Sequence, residues 1–258
     1  MADCRGDIRT GGLLPVLQRA SHDELNVVVE ALDRSWDVRI KADDRFRRAQ
    51  HKLTIIPHVI EEYLLRAGGN SFRNWWRGGG PPYAEVVRDI CGIMGAQVGS
   101  ADSVLQMEET LLKTVVERVW SELSPKQRED IARAAEIELD MSRGMFEEKS
   151  GSNLWMLPLS MLAAQIGARL TRFIVYQVAL QVSQIATRQL FGQGLRLAAG
   201  AALTRVIAVA IGPIGWVASA TWMAVDLAGP SYRGLAPAVF QVAVLRQQML
   251  WSDVRGNP

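Results

Sequence analysis

The sequence predicts an all-α protein, a multi-helix bundle with an apolar C-terminal helical hairpin, and three observations carry that expectation. Apolar residues recur at spacings of three and four in successive blocks; no stretch of any length alternates as a half-buried strand would; and serine- or proline-led caps precede several blocks. With 258 residues the chain can bury a substantial core, as one large domain or two smaller ones.

Ser21 stands three residues before Glu24, and Leu25, Val28, Val29 and Leu32 then fall on one helical face, so a capping box feeds an amphipathic helix. A basic stretch from Arg39 to Lys52 leads into a second periodic block, Leu53 to Arg66, which Pro57 interrupts or begins and Gly68-Gly69 ends. Residues 68–82, GGNSFRNWWRGGGPP, form a loop by composition. Helix resumes near Tyr83 and runs to about Ala96. Leu112, Val115, Val116, Val119 and Leu123 mark a helix over 102–123, and Ser124-Pro125-Lys126-Gln127 restarts the chain with a cap, an N1 proline and a glutamine at N3. The helix so begun, over about 126–148, carries Glu129 four residues before Arg133 on a solvated surface. Beyond Lys149-Ser150-Gly151-Ser152-Asn153 the blocks 158–189, 195–211, 214–227 and 235–251 are rich in Ala, Leu, Ile and Val.

Charge divides the chain near that glycine-serine boundary. Residues 1–150 hold 21 Lys and Arg against 25 Asp and Glu, whereas 151–258 hold 8 Arg, no Lys, and only Asp226 and Asp253 as acids. The expected organisation is a mixed-charge soluble helical region over 1–150 and an apolar, Arg-rich helical region over 151–258. A net charge of +2 with interleaved signs lacks the electrostatic footprint of a nucleic-acid binder. Cys4 and Cys91 have no framework spacing, which fits a reducing compartment. The start MADCRGDIRTGG has no apolar h-region, so cytoplasmic synthesis is expected.

The loop at 68–82 carries a recognisable pattern. Gly68-Gly69-Asn70-Ser71, Asn74, Arg77-Gly78-x-Gly80, Tyr83, Glu85 and Asp89 resemble the central signature of the bacterial YaaW-like family, and Tyr232-Arg233, Pro237-Ala238-Val239 and Leu245-Arg246 resemble its closing signature. The resemblance extends from about Leu13 to Met249. Members of this family of uncharacterised proteins are sometimes labelled similar to ubiquinol–cytochrome c chaperones, which implies an all-helical, membrane-associated assembly factor and transfers no catalytic residues. The region around 196–225 is longer and more apolar than in shorter relatives.

Val206 to Val225 is a run of twenty residues without a charge, bounded by Arg205 and Asp226. As a helix it would extend roughly 30 Å, the thickness of a bilayer's hydrocarbon core. Gly212-Pro213-Ile214-Gly215 at its centre makes a bend or hairpin as reasonable as a straight span. The membrane-engaging candidates in the hairpin at 196–227 are Arg205, Ile207, Ile211, Pro213, Trp216 and Trp222, with arginines meeting anionic headgroups and tryptophans at the interface. Burial of these helices as soluble core is the competing account. Gly194, Gly200 and the alanines of LAAGAAL would allow close helix contact in lipid, which leaves a homo-oligomer open.

Arg73, Arg77, Gly78 and Gly80 could form a backbone nest with guanidinium groups for a phosphate or headgroup, although the Gly-Lys-Ser/Thr ending of a P-loop is missing. A packed turn plugged by Trp75 and Trp76 is the structural alternative. His51, His58 and Glu61 would share a face only on a continuous helix, which Pro57 breaks, so no metal site is expected. Cys91 has no histidine near in sequence. The expectation is a non-enzymatic protein without cofactor that engages the inner membrane from the cytoplasm, as a regulated pore-former or membrane-perturbing effector or, alternatively, as a chaperone holding a membrane-protein client. Its partners would be an anionic membrane or that client, and no nucleic acid.

Overall fold

The computed structural model describes residues 7–35, 38–49, 51–68, 80–138, 157–159, 161, 168–191 and 232–255. Among the described residues there are nine α-helices and no strand. They are α1 (Leu14–Arg19), α2 (His22–Leu32), α3 (Asp44–Ala49), α4 (Pro57–Ala67), α5 (Tyr83–Met94), α6 (Val104–Glu122), α7 (Pro125–Glu138), α8 (Ala168–Phe191) and α9 (Tyr232–Arg255). A 3-10 turn at Ile8–Thr10 precedes α1, and further 3-10 turns lie at Ile40–Ala42 and Leu53–Ile55. The all-α expectation holds; its hairpin at 196–227 lies outside the described residues.

Local chemistry accounts for the helix starts. Ser21 Oγ accepts from the Glu24 amide at 3.3 Å while the Glu24 carboxylate accepts from the Ser21 amide at 2.8 Å, a complete capping box. The same reciprocal pair opens α7, where the Ser124 amide donates to Gln127 Oε1 at 2.8 Å and the Gln127 amide to Ser124 Oγ at 3.3 Å. A third, between Ser103 and Gln106, opens α6. Pro57 begins α4, because the missing amide hydrogen is an orphan in the first turn anyway. The residues before it form a separate 3-10 turn, tied to α2 by the Leu53 amide, which donates to His22 Nδ1 at 3.2 Å. Gly95 ends α5 at φ 72°, and the Ala96 amide donates to the Cys91 carbonyl at 2.8 Å, closing a Schellman turn.

The chain forms two compact units, 1–111 with 222–258 and 112–221; the division falls within α6. The composition boundary near 150 marks a different property, the change from charged to apolar sequence. In the first unit α9 packs most extensively along α2 and also touches α1, α4 and α5. From Gly234 to Gln247 every residue of α9 except Pro237 is buried, as expected of a helix surrounded by protein. A Cβ on Gly234 would lie 2.5 Å from the Ala31 carbonyl oxygen and 2.6 Å from the Ser35 amide nitrogen, so α9 meets the end of α2 nearly backbone to backbone. The last apolar block of the sequence is therefore core of the N-terminal body.

In the second unit α8 packs on α7. Arg128 lies with its guanidinium 5.9 Å from the centre of the Trp120 ring and donates to the Leu123 and Ser121 carbonyls, both at 3.0 Å, covering orphan acceptors at the end of α6. Among the described residues no helix is long and apolar enough to cross a membrane.

Candidate functional site

Two features converge on α5 in the first unit, a buried ionic tie and an open groove. The tie is built on Glu108, in the N-terminal half of α6. Counting back four from Leu112 places it on the same helical face as Val115 and Val119, so a carboxylate stands where the core stripe calls for an apolar side chain. Arg246 of α9 answers it: Nε donates to Oε2 at 2.6 Å and Nη2 to Oε1 at 3.2 Å, with both side chains fully buried. Arg246 also donates through Nη1 to the Ile8 carbonyl at 2.6 Å and through Nη2 to the Gly12 carbonyl at 3.0 Å. The Tyr83 hydroxyl at the start of α5 donates to Glu108 Oε1 at 2.8 Å.

Four segments apart in sequence thus share one polar knot. Burial pushes the Glu108 carboxyl upward, and the guanidinium and the phenol pull it back. Burial likewise raises the Tyr83 phenol well above its usual value, reinforced by the neighbouring carboxylate. A pair so enclosed and so fully hydrogen-bonded has little capacity to accept a substrate proton; its chemistry is that of a lock. Cys91 lies close by, buried, its Sγ donating to the Met107 carbonyl at 3.5 Å, and burial pushes its thiol up to about 11. At neutral pH it is a thiol packed in the core, without thiolate reactivity.

The groove lies along the second half of α5 and the loop after it. It encloses about 520 Å³ and is lined by Arg88, Gly92, Ala96, Gln97, Val98 and Ser100. Gly95 in its left-handed conformation turns the chain into the loop, and Asp102 Oδ2 accepts from the Gly99 amide at 2.7 Å to fix the far end. Arg88 Nη2 donates to the Ser100 carbonyl at 3.3 Å, whereas its Nε is buried and has no hydrogen-bond partner. Gly92, one turn on from Arg88, is exposed, and a Cβ there would meet nothing within 4 Å. Gly92 lies in the last turn of α5, and neither crowding nor a positive φ accounts for a glycine there.

The residues singled out in the sequence fall in separate places. Arg205, Ile207, Ile211, Pro213, Trp216 and Trp222 lie outside the described residues, as do Arg73, Arg77 and Gly78. Gly80 is described, and a Cβ there would stand 2.6 Å from the carbonyl carbon of Leu65, so this glycine serves close packing of the loop's end against α4. His51 and His58 are exposed on either side of the break at Pro57, while Glu61 is half-buried and accepts from the Leu14 amide at 3.2 Å. Asp43 and Glu62 both pair with Arg45, at 2.7 and 2.9 Å, and Glu62 also pairs with Arg66 at 2.8 Å, a solvated network. The Arg45 guanidinium holds Asp43 well below the usual carboxylate range. Glu108 and Arg88 escaped the sequence reading. Only the position of Glu108 on the apolar stripe could have revealed it.

Fold and tie together define an all-α protein whose chain ends are knotted through a buried ion pair. Two of the knot's members, Tyr83 and Arg246, come from the two signatures seen in the sequence. The resemblance to the YaaW-like family of bacterial proteins holds along most of the chain, whose relatives are UPF0174 proteins. It is similar to a UPF0174 protein of Helicobacter pylori, 28% identical over 217 residues that cover 84% of this chain and 78% of that protein. A second UPF0174 protein of Helicobacter pylori is 28% identical over 206 residues, 79% of this chain and 94% of its own. The UPF0174 protein YaaW of Escherichia coli is 24% identical over 196 residues, 76% of this chain and 73% of that protein. No family model matches the chain, and no solved structure matches it.

Proposed function

We propose that the protein is a non-enzymatic, membrane-engaging helical protein in which 196–227 is the segment that meets lipid. The observation that carries this reading is the uncharged run Val206–Val225 between Arg205 and Asp226. The seating of α9 supports it: this helix begins shortly after Asp226 and is locked into the first unit by Arg246, so an inserted segment would be tethered to a rigid body. Arginines at 188, 196 and 205 would contribute roughly 1 kcal/mol each at an anionic surface. The protein would then work from the cytoplasm at the inner membrane, as a regulated pore-former or membrane-perturbing effector.

The test is fractionation into soluble, carbonate-extractable and integral pools, paired with dye release from anionic vesicles. Ile207→Asp and Trp222→Asp are expected to abolish bilayer binding while the first unit stays folded by circular dichroism. Wild-type protein that neither floats with vesicles nor releases dye overturns the reading. The same hydropathy suits a chaperone holding a membrane-protein client, a reading favoured by α9, a sparsely charged helix that this chain buries against protein. Co-purification of one defined membrane protein without vesicle leakage separates it from the effector.

A further inference from the structure

We infer that the groove on α5 binds a small organic anion, a carboxylate or phosphate group carried on an apolar body. Three observations converge on that chemistry. Arg88 lines the groove with a guanidinium only partly engaged: Nη2 reaches a carbonyl at 3.3 Å, and Nε is a buried donor without an acceptor. The exposed Nη end of this cation, met at 3.3 Å by a neutral carbonyl, is satisfied better by the charged oxygens of a carboxylate or phosphate, while Nε lies too deep for a ligand in the groove to reach. Gly92 stands on the same helical face one turn later, with open space where a side chain would be, so a ligand can lie directly against the backbone of α5. Ala96 and Val98 offer apolar surface, and Gln97 and Ser100 polar groups, to the body of such a molecule.

The site is also held in shape before any ligand arrives. The Schellman turn at Gly95 and the Asp102 clasp on the Gly99 amide fix both ends of the loop, which limits the ordering cost of binding. The volume of about 520 Å³ accommodates a molecule larger than inorganic phosphate. This inference stands apart from the membrane reading, since every residue it uses lies between Arg88 and Asp102.

The test uses the full-length protein and two substitutions chosen to spare the fold. Gly92→Leu fills the groove from a position where its Cβ meets no neighbour. Arg88→Gln removes the charge and keeps a polar side chain. Octyl phosphate and octanoate, below their micelle concentrations, are titrated by calorimetry, with inorganic phosphate as the headgroup alone. Saturable binding of at least one octyl probe, weakened tenfold or more by each substitution with melting temperature preserved, is the expected result. Absence of saturable binding, or binding that both variants retain, overturns the inference. Flotation with phosphatidylglycerol and phosphatidylcholine vesicles identifies the natural source. Phosphatidylglycerol binding lost in both variants points to a lipid headgroup, and binding unchanged in both points to a free organic anion.

Discussion

Helices α8 and α9 look alike in sequence and differ in how they treat polarity. Each is 24 residues long, sparsely charged and drawn from the apolar end of the chain. Each is buried around most of its circumference where its side chains are described, α8 over 170–183 except Arg172 and α9 over 234–247 except Pro237. Yet α9 carries a full positive charge into the core and gives it four acceptor contacts. In α8 the buried polar groups are uncharged, and Gln177 Oε1 and Gln181 Nε2, one turn apart, have no hydrogen-bond partner. Hydropathy cannot tell these helices apart. The buried and fully answered charge of Arg246 can, although Gln248 Oε1 of α9 is also unmet, and that charge makes α9 specific to a single seat.

The largest expected effect breaks that seat. Arg246→Met leaves Glu108 buried without its countercharge and should destabilise the protein by about 3–5 kcal/mol. Adding Glu108→Leu should return much of that loss, because an apolar pair of similar volume avoids both desolvation costs. A double-mutant cycle by chemical denaturation measures the coupling. The effect has a definite pH dependence. The folded-state Glu108 carboxyl is already raised by burial, and removing Arg246 removes a group that lowers it. A raised folded value means that stability is fully present below the unfolded carboxylate value and is lost as pH rises through the folded one. Arg246→Met should therefore lie closer to wild type near about pH 4 than at about pH 7. A deficit that does not change with pH would show that Glu108 is not the group left exposed to the loss.

The close approach of α9 to α2 gives the next effect. Gly234→Ala would drive a Cβ against the Ala31 carbonyl and the Ser35 amide, backbone atoms that cannot turn aside, so a loss of up to about 3 kcal/mol is expected in thermal melts. If alanine is tolerated, α9 is not seated as tightly as its burial suggests. Ser103→Ala is a smaller perturbation at the other end of the ion pair. It removes the cap of the helix that presents Glu108 and should cost about 1 kcal/mol.

Much of this architecture was legible in the residues. The caps at Ser21 and Ser124, the restart at Pro57 and the helix ending near Gly95 arise from local chemistry, which acts over three or four residues. The knot was not legible, because it depends on an arginine meeting a glutamate 138 positions away. Its members were in view: Tyr83 and Arg246 stood in the two signatures, and Glu108 interrupted an apolar stripe. Only the packing of α9 between α2 and α5 brings them together. The groove was hidden for a related reason, since the open space beside Gly92 is a property of what does not pack there.

The smallest effect sharpens the comparison from the side of α8. Gln181 Nε2 and Gln177 Oε1 are a donor and an acceptor on the same helical face that do not meet each other. If those amides contribute no net polar energy, Gln181→Met, which keeps length and removes the unmet donor, should leave stability within about 1 kcal/mol of wild type or raise it. The same type of change at Arg246 is expected to cost several times more, and that ratio is the quantitative form of the difference between the helices. A loss at Gln181 as large as that at Arg246 would mean that α8, too, is held by a polar bond, and that the contrast between the two apolar helices must be sought elsewhere.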